Sequence, residues 1–295
     1  MALSSLVSLV LVSIIAFFSS ASHVGICVGP AVGTGLLRRN LALALYVSMV
    51  LLGAFTQGVA MSKAVFNPSI CSLTTTTAVA VVPSILGIPL SLNFALYTSQ
   101  IGCSLGLGIE RLAYASMCWI ALLTLTAMLS TATMSFSRAW ASGTGSILKA
   151  LRKCSTLLFI LTTAMCFVVG ANTFGFIIQF VRGSLLGQLL AIASMVLGSI
   201  TLYRKSLERV AYRFYRIGVL HAITCYAVSV VVVEVATLLS LPLPASLTVV
   251  TALYFSGFIA PFRMISCKSY VSYVAVQIVS IPIALSIGFA LSAIN

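Results

Sequence analysis

Aspartate is absent from this chain of 295 residues, and acidic side chains are limited to Glu110, Glu208 and Glu234. This removes the usual equipment for carboxylate-based or metal-assisted hydrolysis, in which paired acids or acid-bound ions carry the reaction. Charged residues make up 6% of the chain, against about 25% in soluble domains, so a water-soluble globule is excluded. The eight cysteines (27, 71, 103, 118, 154, 166, 225 and 267) include no C-x-x-C pair. Most sit in apolar runs and are expected to behave as small hydrophobes rather than as a metal site or disulfide framework. There is no H-E-x-x-H or G-x-S-x-G, and no aspartyl dyad can form, so the chain is not expected to be an enzyme.

What is present is apolar: 61% of residues are hydrophobic, and mean hydropathy is +1.19. Segments near 3–22, 41–60, 71–88, 90–109, 112–130, 156–180, 184–203, 218–240, 243–262 and 269–292 each approach the length of about 20 apolar residues that a spanning helix needs. The first run resembles a signal-peptide core followed by Ser20-Ala21-Ser22, but it lacks a basic leader and is kept as a span.

The net charge of +13 would suggest nucleic acid in a soluble protein, but here the basic residues lie between the apolar runs. Numbered in order, the odd loops carry 13 of the 16 Lys and Arg residues, and the even loops carry only Lys63, Arg111 and Arg182. The positive-inside rule then places the odd loops in the cytoplasm and both termini outside a cell membrane. The basic group from Arg204 to Arg216 is read as fixing this orientation. No nucleic-acid partner is expected.

The chain divides into a first repeat (1–130), a polar basic linker (131–155) and a second repeat (156–295). Five runs per half is the parity of an inverted-topology repeat. The halves also correspond in sequence. Ser20-Ala21-Ser22-His23-Val24-Gly25 aligns with Gly170-Ala171-Asn172-Thr173-Phe174-Gly175 at an offset of 150, and Leu86–Ser91 aligns with Leu239–Pro244 at 153. Each half is thus expected to carry a small-residue break and a proline break. Paired interruptions of this kind point to a binding site in secondary transporters. The glycines among them would also permit close helix packing. The expected fold class is an all-α integral membrane protein of about ten crossing segments in two inverted repeats, with broken helices or hairpins.

At these breaks the chain resembles the PiT family of inorganic phosphate transporters. That family's G-A-N-D-x-A-N signature corresponds to Ala21-Ser22-His23-Val24-Gly25-Ile26 and onward in the first half, and to Gly170-Ala171-Asn172-Thr173-Phe174-Gly175-Phe176 in the second. Its G-L-P-V-S-T-T-H element corresponds to Gly87–Phe94 and Ser240–Leu247. The signature Asp is His23 in one copy and Thr173 in the other, and the preceding Asn is Ser22 and Asn172. The resemblance implies alternating-access transport of inorganic phosphate or a related oxyanion, coupled to H+ or Na+, with no cofactor. The missing carboxylates weigh against Na+, because hard cations favour carboxylate and carbonyl oxygens. A homo-oligomer in the lipid bilayer is compatible with this reading. Loss of both aspartates supports a second one, a non-transporting relative that keeps the fold as a regulatory or assembly partner.

Anion binding in such a site would use the free N–H groups and positive dipole ends of broken helices. The residues expected to complete it are Ser22, His23, Ser91, Asn93, Asn172, Thr173 and Ser246. Hydroxyls in this set can instead bond back to their own helix, whereas an amide in an apolar span needs a partner. His23 and Glu234 are the proton-coupling candidates. Glu234 lies deep in an apolar run, where ionisable groups are functional suspects, and a structural pair or snorkelling position is its alternative. The Thr74–Thr77 run either lines the path or bonds within its own helix.

Overall fold

The computed structural model describes residues 2–86, 91–104, 108–142, 147–208, 218–258 and 267–294. The first half comprises α1 (Ala2–Gly33), α2 (Arg39–Thr56), a 3-10 turn (Gly58–Ala64), the short helices α3 (Ile70–Leu86) and α4 (Leu92–Cys103), and α5 (Ile109–Ser142). The second half is a comparable run of helices. It begins with α6 (Ile147–Val169), which passes through a π-helical segment (Gly170–Phe174) into α7 (Gly175–Gln179). Helices α8 (Leu185–Glu208), α9 (Val219–Leu238), α10 (Ala245–Ser256) and α11 (Cys267–Ile294) follow. The described residues contain no strand.

Among them, seven helices are long and apolar enough to cross a membrane. Their outward faces are apolar as well: α5 exposes Met117, Ile120, Met128 and Phe136, and α11 exposes Val271, Ile278, Ile283 and Phe289. In water such surfaces would aggregate, whereas in lipid they are the expected boundary. The chain is a multi-pass membrane protein.

Of the ten or so expected crossing segments, two are half-length, in keeping with the expected broken helices or hairpins. Helices α4 and α10 have 12 residues each, about 18 Å at 1.5 Å per residue, which is too short for a hydrocarbon core of about 30 Å. The runs read as 71–88 and 90–109 form the packed pair α3 and α4. Apolarity continues along the sequence from one run into the next, so hydropathy alone does not separate them. One correction concerns cysteine. Cys71 at the start of α3 and Cys103 at the end of α4 form a disulfide with a Cα–Cα distance of 5.9 Å, which makes the pair an antiparallel hairpin.

A second correction concerns the small-residue breaks. The first copy, Ser20–Gly25, is uninterrupted α-helix within α1. Ser22 Oγ donates to the Ser19 carbonyl at 2.8 Å, and Gly25 meets the Ser206 backbone of α8. Small residues at this place serve close packing, not chain reversal. Only the second copy departs from α geometry, as the π-helical segment. The proline break at 87–90 lies outside the described residues, and its counterpart after α9 is a non-helical segment through Leu241–Pro244. The stretch read as a linker is largely helix, since α5 runs to Ser142 and α6 starts at Ile147. Residues 143–146 are outside the description.

Packing is reciprocal between the halves. Helix α1 lies along α8, as α6 lies along α2; α1 packs on α3, as α6 does on α9. The α3/α4 hairpin rests on α11, and the α9/α10 pair rests on α5. Glycines make a close approach on each side. A side chain at Gly198 would collide with the Phe17 carbonyl, and one at Gly53 would collide with the Phe167 carbonyl. Each half therefore completes its core with helices of the other.

Candidate functional site

Both 12-residue helices begin deep in the molecule. Ser91 caps α4, its Oγ accepting from Phe94 N–H at 3.4 Å. Asn93, one residue into that helix from Leu92, is buried, as is Ser246 at the matching place of α10. Unpaired N–H groups and positive dipole ends concentrate at such N-termini.

The π-helical segment meets them. π-Bulges are frequent at functional sites because the extra residue re-aims neighbouring side chains. Asn93 Nδ2 donates to Asn172 Oδ1 (3.1 Å), to Thr173 Oγ1 (3.1 Å) and to the Leu243 carbonyl (2.7 Å). Asn172 Nδ2 donates in turn to Thr237 Oγ1 (3.1 Å) and to the Leu241 carbonyl (3.0 Å). These bonds join the α3/α4 hairpin, the π segment and the α9–α10 break in one buried polar cluster. At membrane depth irregular backbone persists only where protein satisfies it or a cavity receives it, and the two amides fill the first role here.

Two groups in this region retain unused hydrogen-bonding capacity. Asn93 Oδ1 and Ser246 Oγ are buried without a partner. Tyr273 and Gln277 approach from α11, and Gln277 Oε1 accepts Ser91 N–H at 2.7 Å. Tyr273 lies within electrostatic reach of Ser246 and Gln277, but neither Ser246 Oγ nor Tyr273 Oη completes a hydrogen bond of ordinary geometry. A buried hydroxyl donor and a buried amide acceptor suit a ligand that both accepts and donates, as a protonated oxyanion does.

Of the residues expected in the site, Asn93, Asn172 and Thr173 are directly joined. Ser246 and Ser91 sit at the two helix starts that face this cluster. Ser22 and His23 are placed differently. Ser22 bonds back to its own helix, and His23 Nδ1 lies 2.8 Å from the Ser19 carbonyl and 3.2 Å from Ser22 Oγ. The His23 ring meets the edge of Phe174, with centroids 6.3 Å apart, so it borders the π segment. Glu234 is separate from the cluster. Gln57 Nε2 donates to its Oε1, and its Oε2 is buried without a partner. Of the threonine run, Thr76 and Thr77 bond to carbonyls of α3, and Thr76 also meets Ser99 Oγ at 2.7 Å.

The fold has a solved counterpart. The chain has the fold of a transporter. The structure titled "The sodium-dependent phosphate transporter" superposes with a TM-score of 0.82, covering 98% of each chain at 15% sequence identity. No family model and no curated protein matches the sequence. Among the described residues no group of three or more His, Cys, Asp or Glu could hold a metal ion.

Sequence reasoning missed Gln277, Tyr273, Thr237 and Gln57. Gln277 carried a readable signal: an amide in the middle of an apolar span, four residues after a tyrosine on the same helical face. Ser246 gives a clean probe, because its hydroxyl has no partner to lose. Ser246→Ala is expected to leave the melting temperature within about 1 °C and to raise the KM for phosphate several-fold, measured by thermal unfolding and uptake.

Proposed function

We propose that this chain is a secondary active transporter, a divergent relative of the PiT phosphate transporters, and not an enzyme. It moves inorganic phosphate or a related oxyanion by alternating access between two inverted halves. The observation that carries this reading is the meeting of two half-length helix N-termini with the π segment around Asn93, Asn172, Thr173 and Ser246, within a transporter fold. Two positive dipole ends aimed at one buried point favour an anion without any basic side chain.

The Cys71–Cys103 disulfide supports the orientation read from the basic loops. Both residues lie at the end of the hairpin that the charge asymmetry puts outside, and disulfides persist in oxidising compartments.

Coupling is assigned to protons, with Glu234 as the principal carrier and His23, beside the π segment, as the second. Glu234 receives one amide donor, and its other oxygen is buried without a partner. A buried carboxylate oxygen without a partner carries an unmet hydrogen-bonding cost. Wild-type uptake should rise as external pH falls, and Glu234→Gln should flatten that dependence. An unchanged pH profile would remove Glu234 from the coupling path.

One observation favours the non-transporting alternative. The Nδ2 groups of both site amides are satisfied within the protein, and no carboxylate is hydrogen-bonded to either amide among the described residues. Thermal unfolding separates the readings. Phosphate, arsenate and sulfate should raise the melting temperature of a transporter in a saturable way and leave a ligand-free relative unchanged.

A further inference from the structure

A second basic feature lies where the positive-inside rule disfavours it. Of the 16 Lys and Arg residues, only Lys63, Arg111 and Arg182 fall on even loops, and two of these three line a single open cavity of about 390 Å³. Lys63 belongs to the 3-10 turn after α2, and Arg111 to the first turn of α5. Fixing orientation cannot be their purpose, since positive charge at this end opposes the asymmetry that sets it.

The cavity holds one acid, Glu110, yet neither cation forms an ion pair with it or with another described acid. Arg111 is held instead over the Phe66 ring, its guanidinium carbon 4.7 Å from the centroid. This contact orients the guanidinium without neutralising it. Tyr97 and Tyr114 line the same cavity.

Its floor is the break after α9. Ser240 and Leu241 line the cavity, and the Leu241 carbonyl accepts the Asn172 amide of the buried cluster at 3.0 Å. Ser240 adopts a left-handed backbone, φ 57°, at the position that ends α9 with Ser240 N–H bonded to Thr237 and Leu241 N–H to Ala236. Glycine is usual there, and a serine is strained. Its hydroxyl donates to the Ala60 carbonyl at 2.7 Å, tying the break to the turn that carries Lys63. A single layer of backbone therefore separates the cavity from the candidate site.

We propose that this cavity is an outer capture site for a tetrahedral oxyanion, with Lys63 and Arg111 holding the anion above the Ser240–Leu241 break before it passes inward. The identity of the captured ion as the transported one rests on the function proposed above. Exposed cations of this kind raise local anion concentration in a way that salt weakens.

Uptake kinetics in proteoliposomes test the site. The double variant Lys63→Gln/Arg111→Gln should raise the KM for external phosphate about tenfold at low ionic strength, with the maximal rate moving far less. The difference should shrink at about 1 M salt, where the screening length is about 3 Å. Arg111→Lys should recover part of the loss. Equal KM values for wild type and double variant would overturn the proposal.

A second readout does not require transport. In Lys63→Cys, an impermeant anionic thiosulfonate added outside should react faster than a cationic one. Adding Arg111→Gln should reduce that preference at least threefold, and millimolar phosphate should slow the anionic reagent. Charge-blind reaction would overturn the capture site whether or not uptake occurs, and the expected preference in a protein without uptake would retain the site and remove only its transport role. Vesicles with and without anionic lipid separate free anion from headgroup. Phosphate protection in both supports capture of the free ion, and protection lost with anionic lipid overturns it.

Discussion

Asn172→Ala should lower phosphate uptake, expressed as maximal rate over KM, by at least tenfold, and should also lower stability. The side chain gives and receives the bonds that join three elements. Its Oδ1 accepts from Asn93, and its Nδ2 donates to Thr237 and to the Leu241 carbonyl. Truncation leaves buried groups without partners, at about 1–3 kcal/mol for each. About 1.4 kcal/mol corresponds to tenfold in an equilibrium constant or rate. Because fold and site both depend on this residue, its effect has to be read beside that of Ser246→Ala, which removes a hydroxyl with no bond to lose. A transport loss in both variants, with destabilisation only in Asn172→Ala, assigns the cluster to the substrate. Unchanged kinetics in both would place the site elsewhere.

The second large effect concerns packing between the halves. Gly53→Ala and Gly198→Ala should each destabilise the protein by about 3 kcal/mol, or prevent its folding, since an added methyl group would enter occupied space. The obstruction is backbone in both cases: the Phe167 carbonyl at Gly53 and the Phe17 carbonyl at Gly198. Neither carbonyl can move without shifting its helix. Gly183→Ala provides the control, because nothing lies within 4 Å of the added atom. Thermal unfolding in detergent should therefore show two similar large losses and one negligible one. A tolerated Gly53→Ala would contradict the reciprocal packing.

The helical order was legible in the chain, but unevenly. The offset pairs Ser20–Gly25, in α1, with Gly170–Gly175, in the α6–α7 region. It did not reveal that only the second copy departs from α geometry. Both copies mix small and polar residues, and what separates them is the set of tertiary bonds that Asn172 and Thr173 make and Ser22 does not. The proline motif after α9 read correctly as a break, because Pro242 and Pro244 cannot continue a hydrogen-bonded helix. Lengths were less legible. Leu92–Cys103 and Ala245–Ser256 are as apolar as full spans, and their burial in protein leaves no polar mark at the ends.

Site residues followed a simple physical divide. The buried amides Asn93 and Asn172 found each other, as amides in an apolar interior must. Ser22 could satisfy itself on its own helix and did so. Gln277 and Tyr273 lie outside the repeated motifs, although an amide in the middle of α11 obeys the same rule as Asn93. The disulfide was not legible at all. Cys71 and Cys103 are 32 residues apart, and only the reversal of the chain between α3 and α4 brings them together.

The central claim is tested most directly by uptake of radiolabelled phosphate into proteoliposomes containing the folded full chain, with proton or sodium gradients imposed across the bilayer. The account predicts saturable accumulation above protein-free vesicles, driven by an inward proton gradient and inhibited by arsenate. Absence of uptake under every gradient, from protein shown to be folded by its thermal transition, would contradict it.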